Sequence, residues 1–140
     1  MTTGSLGTPL TRKLGIRQGD RVGTFGAPDS LAELLGPLPS GAALVRSPRA
    51  ACEVLITFAT TGTDLDVRFL RAVAVLPADG ALWVAWPKQA SGVETDLDFA
   101  KVQTQGLEAG LVDNKVAAID DTWSGLRFVV RTEDRPGWSP

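Results

Sequence analysis

The chain has 140 residues with a formal net charge of −2, and 44% of them are hydrophobic. This length and composition predict one globular domain with a full core and argue against wholesale disorder. The balance of 14 basic and 16 acidic residues, with no long run of either sign, argues against nucleic acid as a partner. A small basic cluster, Arg12, Lys13, Arg17 and Arg21, is expected to be a solvated surface.

The residues that the chain lacks exclude whole classes of enzyme. It contains no histidine and no tyrosine, and it has one cysteine, Cys52. Ser-His-Asp and Cys-His nucleophile systems, histidine-ligated metals and an internal disulfide therefore cannot form. We expect no catalytic residues and no metal site. The sequence has neither the pattern of a membrane span nor that of a signal peptide, so we expect a cytoplasmic protein that does not associate with membranes.

The first half of the chain predicts a flexible start, residues 1–8, and then alternating strands and helices. After a short helix or turn at residues 9–14, a run at residues 21–25 predicts the first strand. Ser30 and Glu33 form a capping-box pattern, which predicts a short helix ending near Gly36. Residues 42–46 predict a brief strand, and the unbroken apolar run at residues 54–58 predicts the centre of the sheet.

Two identical tetrapeptides, Thr63-Asp64-Leu65-Asp66 and Thr95-Asp96-Leu97-Asp98, follow apolar runs and glycine-containing loops. Both predict helix starts, with Thr63 and Thr95 as N-caps. We interpret the aspartates as partners of the helix dipole rather than as metal ligands or an acid-base pair. The first helix has one apolar face, and the second has a weaker stripe that Gly106 interrupts: Leu65, Phe69, Val73 and Leu76 in the first, and Leu97, Ala100, Leu107 and Leu111 in the second.

Residues 76–88 run from a helix end through a turn into a strand that ends in Trp86, Pro87 and Lys88, which indicates a βαβ unit. Residues 110–114 predict a return turn. Residues 115–119 and 126–131 then predict an antiparallel hairpin joined by residues 120–125, and residues 132–140 a flexible tail. We therefore expect a single domain at residues 9–131. It would be a three-layer, Rossmann-like α/β fold with a mainly parallel sheet and a C-terminal antiparallel hairpin.

Three pieces of the chain, taken in order, resemble the class I methyltransferase variant of the Rossmann fold. These are residues 13–22, residues 54–81, and the closing helix and hairpin. The resemblance implies a shortened methyltransferase-like fold. Where those enzymes have a G-x-G-x-G loop, however, this chain has Gly23-Thr24-Phe25-Gly26-Ala27-Pro28-Asp29, and where they have an acidic residue after the second strand it has Arg46-Ser47-Pro48-Arg49. We therefore expect no cofactor, with S-adenosylmethionine as the alternative.

Shorter motifs are similar to a family of small actinobacterial proteins, domain of unknown function 3052. They are Lys13-Leu14-Gly15-Ile16, the strand entry Asp79-Gly80-Ala81-Leu82-Trp83-Val84 with Pro87-Lys88 at its end, and Trp123-Ser124 near the last strand. Membership implies a bacterial cytoplasmic protein and no particular activity.

In an open parallel sheet, ligands bind beyond the carboxyl ends of the strands, near the point where the strand order reverses. The candidate ligand-binding residues at those ends and in the closing turn are Thr24, Gly26, Asp29, Thr61, Trp86, Lys88, Ser91 and Trp123. Three of them also have a structural interpretation: Trp86 as a packing residue, Lys88 as a solvated cation, and Trp123 as a cover over the sheet edge. If the hairpin turn folds toward the strand ends, these residues form one pocket.

The sequence is compatible with three functions. The favoured one is a module without catalysis that binds a small molecule or a protein partner at the carboxyl ends of its strands, as a monomer or homodimer. The second is a divergent S-adenosylmethionine-dependent enzyme in which Asp29, Lys88 or Asp120 participates. The third is a structural subunit that buries Trp86, Trp123 and Trp138 against another chain.

Overall fold

The computed structural model describes residues 8–139 and contains one six-stranded sheet. Its strands are β1 (Arg21–Phe25), β2 (Ala43–Arg46), β3 (Val54–Phe58), β4 (Ala81–Pro87), β5 (Leu111–Ala118) and β6 (Trp123–Val130). The α-helices are α1 (Leu10–Lys13), α2 (Leu31–Leu35), α3 (Gly62–Val73) and α4 (Phe99–Glu108). Short 3₁₀ helices, Gln89–Ser91 and Thr132–Gly137, follow β4 and β6. The predicted flexible start lies outside the described residues, apart from Thr8.

The strands are arranged in the order β2-β1-β3-β4-β6-β5. The first four are parallel to one another, whereas β6 is antiparallel to both β4 and β5. The predicted fold class is therefore confirmed: a mainly parallel α/β sheet that ends in an antiparallel hairpin. Strand β3 lies inside the sheet and is buried along its whole length, as its continuous apolar sequence predicts.

Two apolar clusters cover the two faces of the sheet, because successive side chains of a strand point to opposite faces. On β4, Trp83 belongs to the cluster under α1 and α2, and Trp86 belongs to the cluster under α3 and α4. The predicted face of α3 is confirmed, since Leu65 and Phe69 are buried there. The Trp83 indole also donates from Nε1 to the carbonyl oxygen of Leu14 at 3.1 Å, which attaches the N-terminal segment to the sheet.

The predicted N-caps are wrong for both longer helices. Helix α3 begins earlier, and Thr61 caps it by accepting from the backbone N–H of Asp64 at 3.1 Å. Helix α4 begins later, and Asp98 caps it by accepting from the N–H of Lys101 at 2.8 Å. At α2, Ser30 precedes the helix as predicted but makes no side-chain capping bond.

The later start of α4 also changes its buried face. Val102 and Gly106 are buried, whereas Leu107 from the predicted stripe is 43% exposed. Because the helix begins at Phe99, Leu97 lies in the loop before it. The predicted apolar stripe therefore combined loop residues with helix residues, which do not share one helical face.

The hairpin strands are longer than predicted. Residues 111–114, predicted as a turn, form the first half of β5, and Trp123 begins β6 instead of lying in the connecting turn. Asn114 is the extra residue of a bulge between Asp113 and Lys115. The first half of β5 contains polar residues that are typical of turns, so its sequence does not indicate a strand. It is a strand because it pairs with β6.

The segment predicted as a flexible tail contains a 3₁₀ helix and a docked tryptophan. Trp138 packs against the α3 and α4 cluster, and its Nε1 donates to the carbonyl oxygen of Leu76 at 2.8 Å. Trp86, Trp123 and Trp138 all pack within this chain and do not form an exposed aromatic cluster.

Between residues 8 and 139, the helices are too short and too polar to cross a bilayer.

Candidate ligand-binding site

The parallel strands β1, β3 and β4 end at one edge of the sheet, here called the carboxyl edge. The chain passes outward from β1 to β2 and returns to β3 on the other side of β1, so the strand order reverses between β1 and β3. Ligands of open α/β sheets bind at such a switch point. Among the candidate residues, Gly26 and Thr61 follow the two strands that flank it, and Thr24 lies just inside β1.

The guanidinium of Arg68 fills the switch point. Its Nη1 donates to the carbonyl oxygen of Phe58 at 2.8 Å, and its Nη2 lies 3.8 Å from Oδ2 of Asp64. A Cβ added to Gly26 would lie 2.6 Å from Nη1, so the guanidinium rests directly on that glycine. The sequence does not point to Arg68, because it lies on a helix beside the core residue Phe69, where a cation is expected to face solvent.

A small cleft lies beside the switch point, between the ends of β1 and β2. Its volume is about 130 Å³, and it is lined by Thr24, Gly26, Ala27, Arg46 and Ser47. Asp29 lies next to it, with Oδ1 3.4 Å from Nη2 of Arg46, but these side chains are 100% and 73% exposed. Such an exposed pair contributes little stability. The structure therefore brings Thr24, Gly26 and Asp29 together around a cleft far smaller than the roughly 300–1,000 Å³ typical of small-molecule sites.

A larger groove lies at the end of β4 and is called the β4 groove. Its volume is about 630 Å³, and it is lined by residues 86–89 and 95–99 with Lys101 and Ser124. Trp86 and Phe99 form an aromatic wall, with ring centroids 6.3 Å apart and planes at 67°. Trp86 is 7% exposed and Phe99 is 41% exposed, so the phenyl ring offers most of the aromatic surface. The groove has the size of a small-molecule site.

Charges of both signs line the β4 groove. Half-buried Lys88 and exposed Lys101 supply ammonium groups, and Asp96 and Asp98 supply carboxylates. Lys101 Nζ donates to the carbonyl oxygen of Asp96 at 2.7 Å, which holds the ammonium at the start of α4. Lys88 was among the candidate residues predicted from the sequence, whereas Lys101 and Phe99 were not. Asp98 as the N-cap of α4 is the signal that points to both, because Phe99 and Lys101 then lie in the first turn of the helix.

The second Thr-Asp-Leu-Asp tetrapeptide fixes the groove to the end of β3. Thr95 Oγ1 donates to the carbonyl oxygen of Thr60 at 2.6 Å, and Oδ1 of Asp96 accepts from the N–H of Gly62 at 2.8 Å. Leu97 N–H in turn donates to Thr95 Oγ1 at 3.0 Å. These bonds join the loop before α4 to the start of α3. The wall of the β4 groove is thus held in place before any ligand arrives.

Ser91 and Trp123 lie apart from the groove. Ser91 Oγ donates to the carbonyl oxygen of Lys88 at 2.7 Å and accepts from the N–H of Val93 at 3.2 Å, so it closes a local turn. Trp123 packs edge-on against Phe58, with ring centroids 5.1 Å apart, on the face opposite Trp86. The condition for one common pocket is therefore not met, because strand alternation directs Trp86 and Trp123 to different faces of the sheet.

Asp120 acts as a turn residue. Its Oδ1 accepts from the backbone N–H groups of Thr122 and Trp123, both at 2.8 Å. These two bonds hold the carboxylate in the connection between β5 and β6, where it stabilises the turn.

No protein-family model matches the chain, and no curated protein matches it in sequence. Solved structures match its fold. TrmN from Thermus thermophilus does so with a TM-score of 0.54 at 16% identity, over 86% of this chain and 47% of TrmN. The DhpI–SAH complex gives 0.59 at 8% identity, over 90% of this chain and 84% of the other. Magnesium protoporphyrin IX methyltransferase (ChlM) from Synechocystis with bound SAM gives 0.52 at 7% identity, over 86% and 74%.

The chain has a methyltransferase-like fold. This confirms the fold that the sequence resemblance implied, and at these identities the likeness concerns the fold alone. The chain spans about half the length of TrmN. The resemblance to the actinobacterial family still rests on the short sequence motifs.

Proposed function

We propose that this methyltransferase-like module binds a small organic molecule in the β4 groove. The observation that carries the proposal is the convergence of an aromatic wall and both signs of charge in a groove of about 630 Å³ at the carboxyl edge. Small-molecule sites are typically apolar clefts of this size with a few placed polar groups.

The lining of the groove suggests the chemistry of the ligand. Phe99 and Trp86 suit a flat apolar body, since aromatic rings prefer edge and offset contacts with other rings. Lys88 suits an anionic group such as a carboxylate, because an ammonium forms strong charge-assisted bonds with it. One carboxylate oxygen of Asp98 accepts a hydrogen bond from the N–H of Lys101, and its second oxygen is available for a donor on the ligand. We infer an aromatic or similarly flat molecule that carries an anionic group and a hydrogen-bond donor.

S-adenosylmethionine fits the residues at the switch point poorly. Its sulfonium and ammonium outweigh its one carboxylate and leave a net positive charge, whereas the end of β1 is flanked by the guanidinium groups of Arg46 and Arg68. The adjoining cleft of about 130 Å³ is also too small for a molecule of that size. A ligand in the β4 groove avoids both obstacles.

Indole-3-acetate, which has a flat body, an N–H donor and a carboxylate, is a suitable probe for this groove. In a titration followed by amide and indole NMR signals, we expect saturable shifts at Trp86 and Phe99. Lys88→Ala should weaken binding by about tenfold, the value of one charge-assisted hydrogen bond. Lys115→Ala, which removes an exposed lysine from β5, is the matched control and should leave binding unchanged. Shifts that avoid the groove, or equal affinity in Lys88→Ala, would contradict the proposal.

A second candidate function is binding of S-adenosylmethionine or its product at the switch point. It is favoured by the matching structures that contain SAH or SAM, with TM-scores of 0.59 and 0.52. Thermal unfolding with millimolar S-adenosylhomocysteine separates the two functions. A ligand at a hundred times its Kd would stabilise the protein by about 2.7 kcal/mol.

Arg68 provides the decisive variant for this second candidate. If its guanidinium excludes the cofactor, wild-type protein shows no shift with S-adenosylhomocysteine and Arg68→Ala gains one. Arg71→Ala, one turn further along α3, is the control and should behave as wild type. A shift in wild-type protein that Arg68→Ala abolishes would favour the second candidate over the first.

A further inference from the structure

The face of the sheet opposite the β4 groove carries a second groove, called the arginine groove. It lies between the N-terminal segment and β6, has a volume of about 590 Å³, and is lined by residues that include Thr11, Arg12, Ile16, Arg17, Pro39 and Arg127. Three of these are arginines, and no acidic residue lines the groove. The sequence placed Arg12 and Arg17 in a solvated cluster. The fold adds Arg127 to them from the far end of the chain.

In the described part of the chain, no carboxylate forms an ion pair with an arginine of this groove. Within residues 8–139, ion pairs form only between Arg46 and Asp29 and between Arg68 and Asp64. Asp20 lies close to the groove, but its Oδ2 accepts from the backbone N–H of Arg17 at 2.8 Å. The groove therefore concentrates positive charge on a protein whose net charge is −2.

Of the three arginines, Arg127 is the one whose positive charge is least favoured by its surroundings. It is half-buried on β6, in register with Trp83 on one side and Lys115 on the other. Its Nη1 donates to Oδ1 of Asn114 at 3.2 Å, a neutral acceptor. Burial lowers the pKa of the Arg127 guanidinium, and the positive charge of Arg17 lowers it further. An anion between these two arginines would offset both effects.

We propose that the arginine groove binds a small molecule through its phosphate groups, with Arg127 at the base and Arg12 and Arg17 at the rim. Guanidinium groups match phosphate oxygens in two-bond geometry, and several arginines that converge from different elements suit an oligophosphate. The size of the groove corresponds to a compact ligand such as a pyrophosphate moiety, with or without a nucleoside. This site lies on another face from the β4 groove and does not depend on the function proposed for it.

Pyrophosphate is the probe, titrated at constant ionic strength against potassium chloride while amide NMR signals and thermal unfolding are recorded. We expect saturable shifts around Arg12, Arg17 and Arg127, and a rise in the melting temperature that chloride does not reproduce. Arg127→Gln and Arg12→Ala should each weaken binding by about tenfold, since each removes a charged hydrogen-bonding partner. Arg131→Gln, an exposed arginine beyond β6, is the matched control and should bind as wild type.

Two readouts keep folding separate from binding. Arg12 lies on the exposed side of α1, so Arg12→Ala should keep the wild-type melting temperature. Arg127→Gln should melt no lower than wild type without ligand, because it removes a half-buried cation beside Arg17. Equal effects of pyrophosphate and chloride, or unchanged affinity in both variants, would overturn the proposal. Tighter binding of a short RNA oligonucleotide than of pyrophosphate would overturn the assignment to a small molecule.

Discussion

Gly106 of α4 packs directly on the ring of Phe128 in β6, with no room for a side chain between them. A Cβ added to Gly106 would collide with that ring. The glycine that interrupts the apolar stripe of α4 is therefore a point of close contact between the helix and the sheet. The contact also positions the first turn of α4, which carries Phe99 and Lys101 into the β4 groove.

Gly106→Ala should lower the free energy of unfolding by about 1–3 kcal/mol, the usual cost of overpacking a core. Helix propensity alone predicts the opposite sign, a gain of about 1 kcal/mol. Gly62→Ala is the control, because a Cβ there would meet Asp96 only at 3.9 Å. Urea denaturation of both variants decides the matter. A stabilised Gly106→Ala would show that α4 does not pack as closely as described.

The two identical tetrapeptides should respond differently to the same substitution. Asp98→Ala removes the cap of α4 and should cost about 1 kcal/mol of unfolding free energy. Asp66→Ala changes the same position of the first tetrapeptide, where the residue is exposed inside α3, and should change stability by less than about 0.5 kcal/mol. Chemical denaturation measures both. Equal losses would mean that the two tetrapeptides play the same capping role after all.

Thr57 has the one buried side-chain oxygen or nitrogen without a hydrogen-bond partner in residues 8–139. It lies in β3, fully buried, in register with Phe25 and Val84. Thr57→Val should raise the free energy of unfolding by about 1 kcal/mol, because it removes an unsatisfied hydroxyl at nearly constant volume. Thr57→Ser keeps the hydroxyl but loses a buried methyl, and should lower it by about 1 kcal/mol. A loss in both variants would indicate that the hydroxyl has a partner in solution.

Cys52 should make the stability of the protein fall at alkaline pH. Its side chain is fully buried, and burial raises the pKa of the thiol, with the charges of Arg21 and Glu53 acting in opposite directions. In the unfolded chain the thiol has its ordinary pKa of about 8.5, whereas in the folded protein its pKa is higher. Its contribution is therefore complete below about pH 8.5 and is lost as the pH rises through the folded pKa.

Thermal unfolding across this pH range, compared with Cys52→Ala, isolates that contribution. The variant should show a shallower decline above about pH 8.5, although it is less stable at neutral pH because it leaves a small cavity. A thiol reagent should also modify folded wild-type protein slowly at neutral pH. Parallel declines in the two proteins would contradict the assignment of the alkaline loss to Cys52.

The positions of the four parallel strands followed from local patterns, whereas the bounds of the hairpin strands did not. The apolar run of β3, and the alternation that separates Trp83 from Trp86, are properties of a few consecutive residues, and the sheet confirmed both. The helix starts did not follow from such patterns. Thr61 and Thr63 are equally good caps in sequence, and the backbone direction after β3 selects the first.

The groups around the candidate site depended still more on the tertiary structure. Arg68 reaches the end of β1 only because α3 packs across the sheet, and Arg127 joins the N-terminal arginines only because β6 lies beside β4. Contacts between residues this far apart in the chain leave no local periodicity. The sequence could therefore indicate the edge of the sheet where a ligand would bind, but not which charges surround it.

By itself, the sequence determined the α/β class, the parallel core, the antiparallel ending and the absence of histidine chemistry, because composition and short-range periodicity decide these properties. Only the tertiary structure decided that the switch point is filled by a guanidinium, that Trp86 and Trp123 face opposite sides, and that two separate grooves collect charge. The physical reason is that burial and electrostatic fields arise from distances in space. Residues remote in the chain set those distances when the helices pack onto the sheet.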